Sequence, residues 1–304
     1  MHLPAVSLCL GLMIGSVALR GAEEPAIRPA SDVFAGQPGH TIAGDVRIID
    51  GFAMPQFGET PARTRRIWVY LPPGYATGGK HYPVLYMQDG QNVFDAKTSF
   101  VGEWRVDETL ERLFAEHKSA GTIVVAVENG REKRGEEYVA PFWGMVDHPR
   151  GDKYAQFLVE TLKPYIDAHF RTRPERESTA IAGSSGGALI SFHVGMEYPR
   201  VFSRIGAFSF TLPDDAASRI EAWCAAHPKR AGMRIYLHIG TDENISQRYP
   251  AEMWVRNLTR LHDALRRQGY DESELRLDVQ TGGHHNEVTW ADRFEQAVLW
   301  LGRP

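Results

Sequence analysis

Cysteine is almost absent: the 304 residues hold two, Cys9 and Cys224. Cys9 lies in the apolar N-terminal run, so a processed chain keeps Cys224 alone and export cannot depend on an internal disulfide. Cys224 reads as a small buried hydrophobe. An excess of either charge is also missing. Lys and Arg total 34 against 38 Asp and Glu, a formal net charge of −4, which leaves no overall positive field for a polyanion and argues against nucleic acid as a partner. A neutral or weakly charged substrate fits that balance better. Metal-ligand spacing is missing too: no H-E-x-x-H or His-x-His occurs, so neither a metal nor an organic cofactor is expected. No internal repeat is present. After the N-terminal run no apolar stretch is long enough to span a bilayer, so no membrane span is expected in the mature chain.

Residues 1–20 form an apolar run in which Ser16 and Ala18 are spaced as in a small-residue cleavage site. They read as a signal peptide for secretion or periplasmic export, with an uncleaved anchor as the alternative. Residues 21–40, rich in Pro, Ala and Gly without a period, read as a flexible leader. Residues 41–304 then read as one domain, whose 43% hydrophobic and 24% charged content is ordinary for a globular core.

Within that domain, short apolar runs alternate with segments of helical period. Expected strands are Asp45 to Ile49, Ile67 to Leu71, Val84 to Gln88, Ile123 to Glu128, Thr179 to Ala182, Ile205 to Ser209, Ile235 to Ile239 and Leu275 to Val279. Amphipathic helices are expected over Val106 to His117, Tyr154 to Phe170, Ala251 to Arg267 and Trp290 to Leu301. Strands close together at first, then alternating with helices, predict an α/β architecture. Its mostly parallel sheet of about eight strands has antiparallel first members and helices on both faces. In such sheets the chemistry sits at the carboxyl ends of strands.

There the sequence places Gly183-Ser184-Ser185-Gly186-Gly187, ending a strand and opening a helix. It matches G-x-S-x-G in the context that motif requires, with Ser185 as nucleophile. A serine hydroxyl needs a base and an orienting carboxylate, and in this arrangement they follow in the order Ser, acid, His. Gly240-Thr241-Asp242-Glu243 follows a strand and offers two adjacent carboxylates. Glu243 is favoured because the acid in hydrolases of this fold commonly follows a G-x-x-D/E spacing, and Asp242 is the alternative. Gly282-Gly283-His284-His285 precedes the last helix and supplies His285 as base. The oxyanion donors are read as the backbone N–H groups of Gly186 and Gln91, the latter in the loop after the strand Val84 to Gln88.

Arg66 to Tyr75, Tyr82 to Asp95 and the Gly183 to Gly187 elbow, with Phe157 to Ile166, Phe202 to Phe208, Gly283 to Glu287 and Trp290, together resemble the Putative esterase family of α/β-hydrolases. That family is related to enterochelin esterases, feruloyl esterases, carbohydrate acetyl esterases, the esterase D group and the mycolyltransferases. The resemblance spans nearly the whole mature chain and implies a Ser/acid/His triad on Ser185, Glu243 and His285. Two departures stand out: an Asp neighbours the acid, and Gln88-Asp89 replaces the His-bearing oxyanion loop of many relatives. Trp104, Tyr138, Phe142 and Trp143 are candidates for an acyl or aryl pocket, with core packing the equal alternative. The expected function is a secreted serine carboxylic-ester hydrolase working through an acyl-enzyme on small acyl, phenolic or carbohydrate esters. The rivals are an acyltransferase with the same triad and a secreted binding protein that has lost activity.

Overall fold

The computed structural model describes residues 24–246 and 249–303; the segment read as a signal peptide lies outside them. A nine-stranded sheet carries the fold. Its strands are β1 (Ile27–Pro29), β2 (Asp45–Ala53), β3 (Thr64–Leu71), β4 (Val84–Gln88), β5 (Ile123–Val127), β6 (Thr179–Ser184), β7 (Arg204–Phe208), β8 (Arg234–Gly240) and β9 (Leu275–Gln280). They lie in the order β1-β2-β3-β5-β4-β6-β7-β8-β9. The pairs β1·β2, β2·β3 and β3·β5 are antiparallel, and every later pair is parallel. Around the sheet run α1 (Ala30–Val33), α2 (Val106–Ala115), α3 (Arg134–Tyr138), α4 (Gly151–Gln156), α5 (Lys163–His169), α6 (Gly186–Glu197), α7 (Asp214–Ala226), α8 (Ala251–Arg267) and α9 (Glu287–Leu301).

The central strands β4 and β5 are buried at every position because both faces are covered. Ile123, Val125 and Val127 of β5 join one core, with Leu158 and Ile166 of the 151–169 helix, Ile190 of α6, Ile220 of α7 and Leu258 of α8. Val124 and Ala126 point the other way, into a core with Leu110 and Leu113 of α2 and Phe294 and Trp300 of α9. This period-two division repeats in β3, where Ile67, Val69 and Leu71 face the first core and Trp68 and Tyr70 the second. The chain therefore has the expected α/β-hydrolase layering.

Local details differ from the sequence reading or add to it. The sheet has nine strands instead of about eight, because Ile27–Pro29 pairs with Arg47–Ile49 at the edge. That triplet lies inside the segment read as a flexible leader. It offers one apolar residue, and Pro29 is tolerated because an outer strand need not donate its N–H to a ladder. The helix expected from Tyr154 to Phe170 starts at Gly151 and widens into a π-helical stretch, Phe157–Leu162, between α4 and α5. Pro164 follows directly; it has no N–H for the carbonyl one turn back, and its ring would crowd a regular α-turn there. Helix α6 shows no polar face, since Ala188 to Met196 are all buried.

Sheet order reverses direction between β4 and β6, since the strand following β4 in sequence lies on the opposite side from β6. The crevice beyond the carboxyl ends of these two strands is where α/β sheets bind ligands. Gln91 and Ser185 lie immediately beyond those ends.

Candidate active site

Ser185 joins β6 to α6 with φ 55° and ψ −122°. A side-chain-bearing residue seldom holds positive φ, and such strain is kept where surrounding structure enforces it. The enforcement is visible on both sides. Ser185 donates its N–H to the Phe208 carbonyl at the end of β7 at 2.9 Å, and the strand runs so close to the helix that a Cβ on Gly183 would lie 2.7 Å from the Gly187 backbone. Gly186 opens α6, where first-turn N–H groups lack intrahelical acceptors and are available to an oxyanion. Gln91 sits in the 3₁₀ turn Gly90–Asn92 just after β4. Its side-chain Oε1 accepts the Asn129 N–H at 3.1 Å, which fixes the loop carrying its backbone N–H.

Glu243 and His285 meet across the ends of β8 and β9. The Glu243 carboxylate is fully buried, and its Oε2 lies 2.6 Å from His285 Nδ1. Its Oε1 accepts the Gly240 N–H at 3.0 Å and the Ser209 hydroxyl, and Ser209 in turn accepts the Trp290 indole N–H at 2.6 Å. Burial pushes this carboxyl up, but the hydrogen bond and charge of His285, with the bonds from Ser209 and Gly240, outweigh it and hold it below the ordinary range. It therefore stays ionised and can stabilise a positive imidazole. The Trp290 ring packs edge-on against His285 at 5.3 Å and 87°, fixing the imidazole plane. Asp242, the alternative acid, is exposed, and its carbonyl meets the neighbouring His284 ring at 3.1 Å. His285 makes its side-chain hydrogen bond to Glu243, and Ser185 makes none as N-cap of α6. In unliganded hydrolases the bond between serine and imidazole commonly tightens only with substrate.

The loops that carry Glu243 and His285 touch at Gly240 and Gly283. A Cβ on Gly240 would stand 2.1 Å from the Gly283 carbonyl oxygen. Gly240→Ala must push the Glu243 and His285 loops apart, and a misplacement near 1 Å is expected to lower kcat about a hundredfold. Steady-state kinetics on the folded variant checks this.

Sequence reasoning missed the groups that hold the loop carrying Gln91. Asp89 is buried in a left-handed conformation, φ 56° and ψ 49°. Arg134 clamps its carboxylate through two bonds of 2.7 and 2.8 Å, and Asn129 Nδ2 adds a third at 2.5 Å. Arg134 also reaches the elbow, its Nη1 lying 3.1 Å from where a Cβ on Gly186 would be. The Asp-Gly pair flagged a turn, but no local pattern links it to an arginine 45 positions on.

Glu287 was missed as well. It is buried at the start of α9, and its Oε1 accepts Asn92 Nδ2 at 3.0 Å. Burial drives its carboxyl up from 4.5 to about 6. A raised folded value means stability that is present below the unfolded value and lost as pH rises through the folded one. The loss, about 2 kcal/mol for a shift of this size, falls between roughly pH 4.5 and 6. Glu287→Gln keeps an acceptor for Asn92 and abolishes that loss. Thermal melts are expected to show the variant gaining on the wild type as pH rises through this window, with a constant gap above it.

Three of the four aromatic residues considered for a pocket are enclosed in the core. Trp104, Tyr138 and Trp143 are 2%, 1% and 1% exposed. Trp104 packs on Phe208 and Trp290 at 4.9 and 5.6 Å, behind His285. Tyr138 accepts the Asp89 N–H at 3.1 Å, Trp143 contacts Phe142 and Phe210, and Phe142 is half-buried against Trp223. Large rings gain most from full burial, and these pack into the core. Among the described residues, the carboxylates within metal-ligand reach of one another are Glu103, Asp107 and Glu108, and Glu243 is not one of them. No helix among the described residues is long and apolar enough to cross a membrane.

The chain is similar to known proteins in sequence and in fold. The uncharacterized protein YbbA of Bacillus subtilis (strain 168) is 26% identical over 254 residues, which cover 80% of this chain and 94% of that one. The endo-1,4-beta-xylanase/feruloyl esterase of Xylanibacter ruminicola is 27% identical over 251 residues, 81% of this chain but 30% of that longer protein. Among solved structures, the siderophore hydrolase EstA of Aspergillus nidulans superposes with a TM-score of 0.65 at 19% identity, covering 86% of this chain and 95% of its own. The model of the family described as "Putative esterase" matches residues 58–301, most of the chain, and the protein belongs to that family.

Proposed function

We propose that the protein is a secreted serine esterase that works through an acyl-enzyme. The contact of buried Glu243 with His285, formed at strand ends beside the Ser185 elbow, supports this reading most directly. With Nδ1 hydrogen-bonded to the carboxylate, His285 leaves Nε2 free to take a proton. Nε2 removes the Ser185 proton as Oγ bonds to the ester carbonyl carbon, and the displaced electron pair settles on the carbonyl oxygen. The N–H groups of Gly186 and Gln91 hold that oxyanion. As the carbonyl re-forms, the C–O bond to the alcohol breaks and the imidazolium proton passes to the leaving oxygen. Water, activated by the same Nε2, then releases the acid and restores Ser185. Residues 1–20 would direct export, and residues 41–304 would hold the whole catalytic unit.

The test is initial-rate hydrolysis of short-chain 4-nitrophenyl esters by the purified protein, with feruloyl and acetylated-sugar esters in parallel. Turnover lost on replacing Ser185 supports the reading, and turnover unaffected by that change removes it. Transfer of the acyl group to added alcohol in preference to water would identify the acyltransferase instead.

A further inference from the structure

Beside the oxyanion loop opens a cleft of about 740 Å³, the size of a small-ligand site. It shares Gln91 with the proposed oxyanion hole, and Arg134, which also reaches the elbow, stands in its wall. Its lining is unusual for a protein with a net charge of −4: four arginines, Arg65, Arg66, Arg131 and Arg134, against two carboxylates, Asp50 and Glu128.

The ion pairs show which charge is available. Arg134 is held by Asp89 and Arg65 by Glu137. Asp50 serves two arginines at once, Arg28 at 2.7 Å and Arg66 at 2.6 Å, and Arg66 engages it through Nε alone. Glu128 accepts the Trp68 indole N–H. Arg131 forms no ion pair among the described residues, and its backbone is held at φ 54° by a bond from its N–H to Asn129 Oδ1 at 2.9 Å. One unpaired guanidinium and the open end of a second thus face a common cleft. A planar, forked donor of this kind matches a carboxylate through two parallel bonds. On the same rim Phe100 is 62% exposed, an aromatic face left in water beside the cations.

We propose that this cleft is a carboxylate subsite: the ester substrate carries, besides its scissile bond, a carboxylate on a flat or aromatic body that docks on Arg131 and Arg66 with its ring against Phe100. The inference deepens the esterase reading and rests on it for the identity of the substrate.

Two measurements test it. The first compares kcat/KM for esters matched in length, with a terminal carboxylate or a methyl group on the acyl side, and with a 4-carboxyphenyl or phenyl group on the alcohol side. A tenfold or greater preference for the carboxylated member of one pair is expected from a charge-assisted contact. That ratio should fall about threefold or more in Arg131→Gln, approach one when Arg66→Gln is added, and also fall at about 1 M salt, where the Debye length is about 3 Å. A ratio near one in the wild type, or one unchanged by both substitutions, overturns the subsite. The second measurement is calorimetric titration with benzoate, which needs no turnover. Binding to the wild type that weakens at least fivefold in Arg131→Gln is expected. Equal binding to both proteins, or none to the wild type, rejects the subsite even where neutral esters are cleaved. Failure to cleave any ester while benzoate binds as expected would count against the esterase reading and leave the carboxylate site standing. Thermal melts of both variants confirm that they are folded.

Discussion

Ser185→Ala is expected to lower kcat for ester hydrolysis by about a millionfold, the scale found when a triad nucleophile is removed, leaving only what the oxyanion donors and substrate binding supply. Stability should barely move. The hydroxyl makes no cap bond to α6, and alanine has the same Cβ to accommodate at φ 55°, so a change within about 0.5 kcal/mol is expected. The variant is therefore a clean probe: rate and melting temperature are read on the same preparation. A rate within tenfold of wild type would mean that another group attacks the carbonyl.

Glu243→Gln is expected to cost about ten-thousandfold in kcat, as when an amide replaces the acid that orients a catalytic histidine. Glutamine keeps the size of the side chain and an oxygen for the Ser209 hydroxyl and the Gly240 N–H, the present partners of Oε1. What changes is the group facing His285 Nδ1. An amide NH₂ there donates where a carboxylate accepted, so the imidazole turns to the tautomer protonated on Nε2 and can no longer take the serine proton. The same exchange at the neighbouring carboxylate, Asp242→Asn, touches an exposed side chain that pairs with Thr241, and kcat should stay within about threefold. Equal losses at both positions would contradict the assignment of the acid.

How far the sequence could be read depended on how local each signal was. The elbow was legible because all its requirements, glycines at 183 and 187 between a β-branched strand and a helix, fall within a few residues. Seven of the eight expected strands begin within one residue of the observed ones, since each carries a short apolar or alternating run; β3 starts three residues early, in the polar Thr64-Arg65-Arg66 stretch. The choice between Asp242 and Glu243 could be argued only from spacing, whereas the structure separates them by burial: one exposed, one fully enclosed. Contacts across the fold were illegible. The grip of Arg134 on Asp89 and the bond from Asn92 to Glu287 join residues 45 and 195 positions apart. Trp104, Tyr138 and Trp143 could be read equally as pocket walls or as core, because aromatic residues suit both and composition cannot say on which side of a loop a ring will lie. The N-terminal edge strand escaped notice because three residues with one apolar side chain carry no period to detect.

The most direct measurement is mass spectrometry of the folded protein after exposure to a fluorophosphonate, which reacts with a serine only when a base has activated it. A single adduct on the peptide containing Ser185 is expected, absent from Ser185→Ala and slowed by orders of magnitude in His285→Ala. An adduct on a different residue, or ester turnover with Ser185 unmodified by the reagent, would contradict a mechanism built on Ser185, Glu243 and His285.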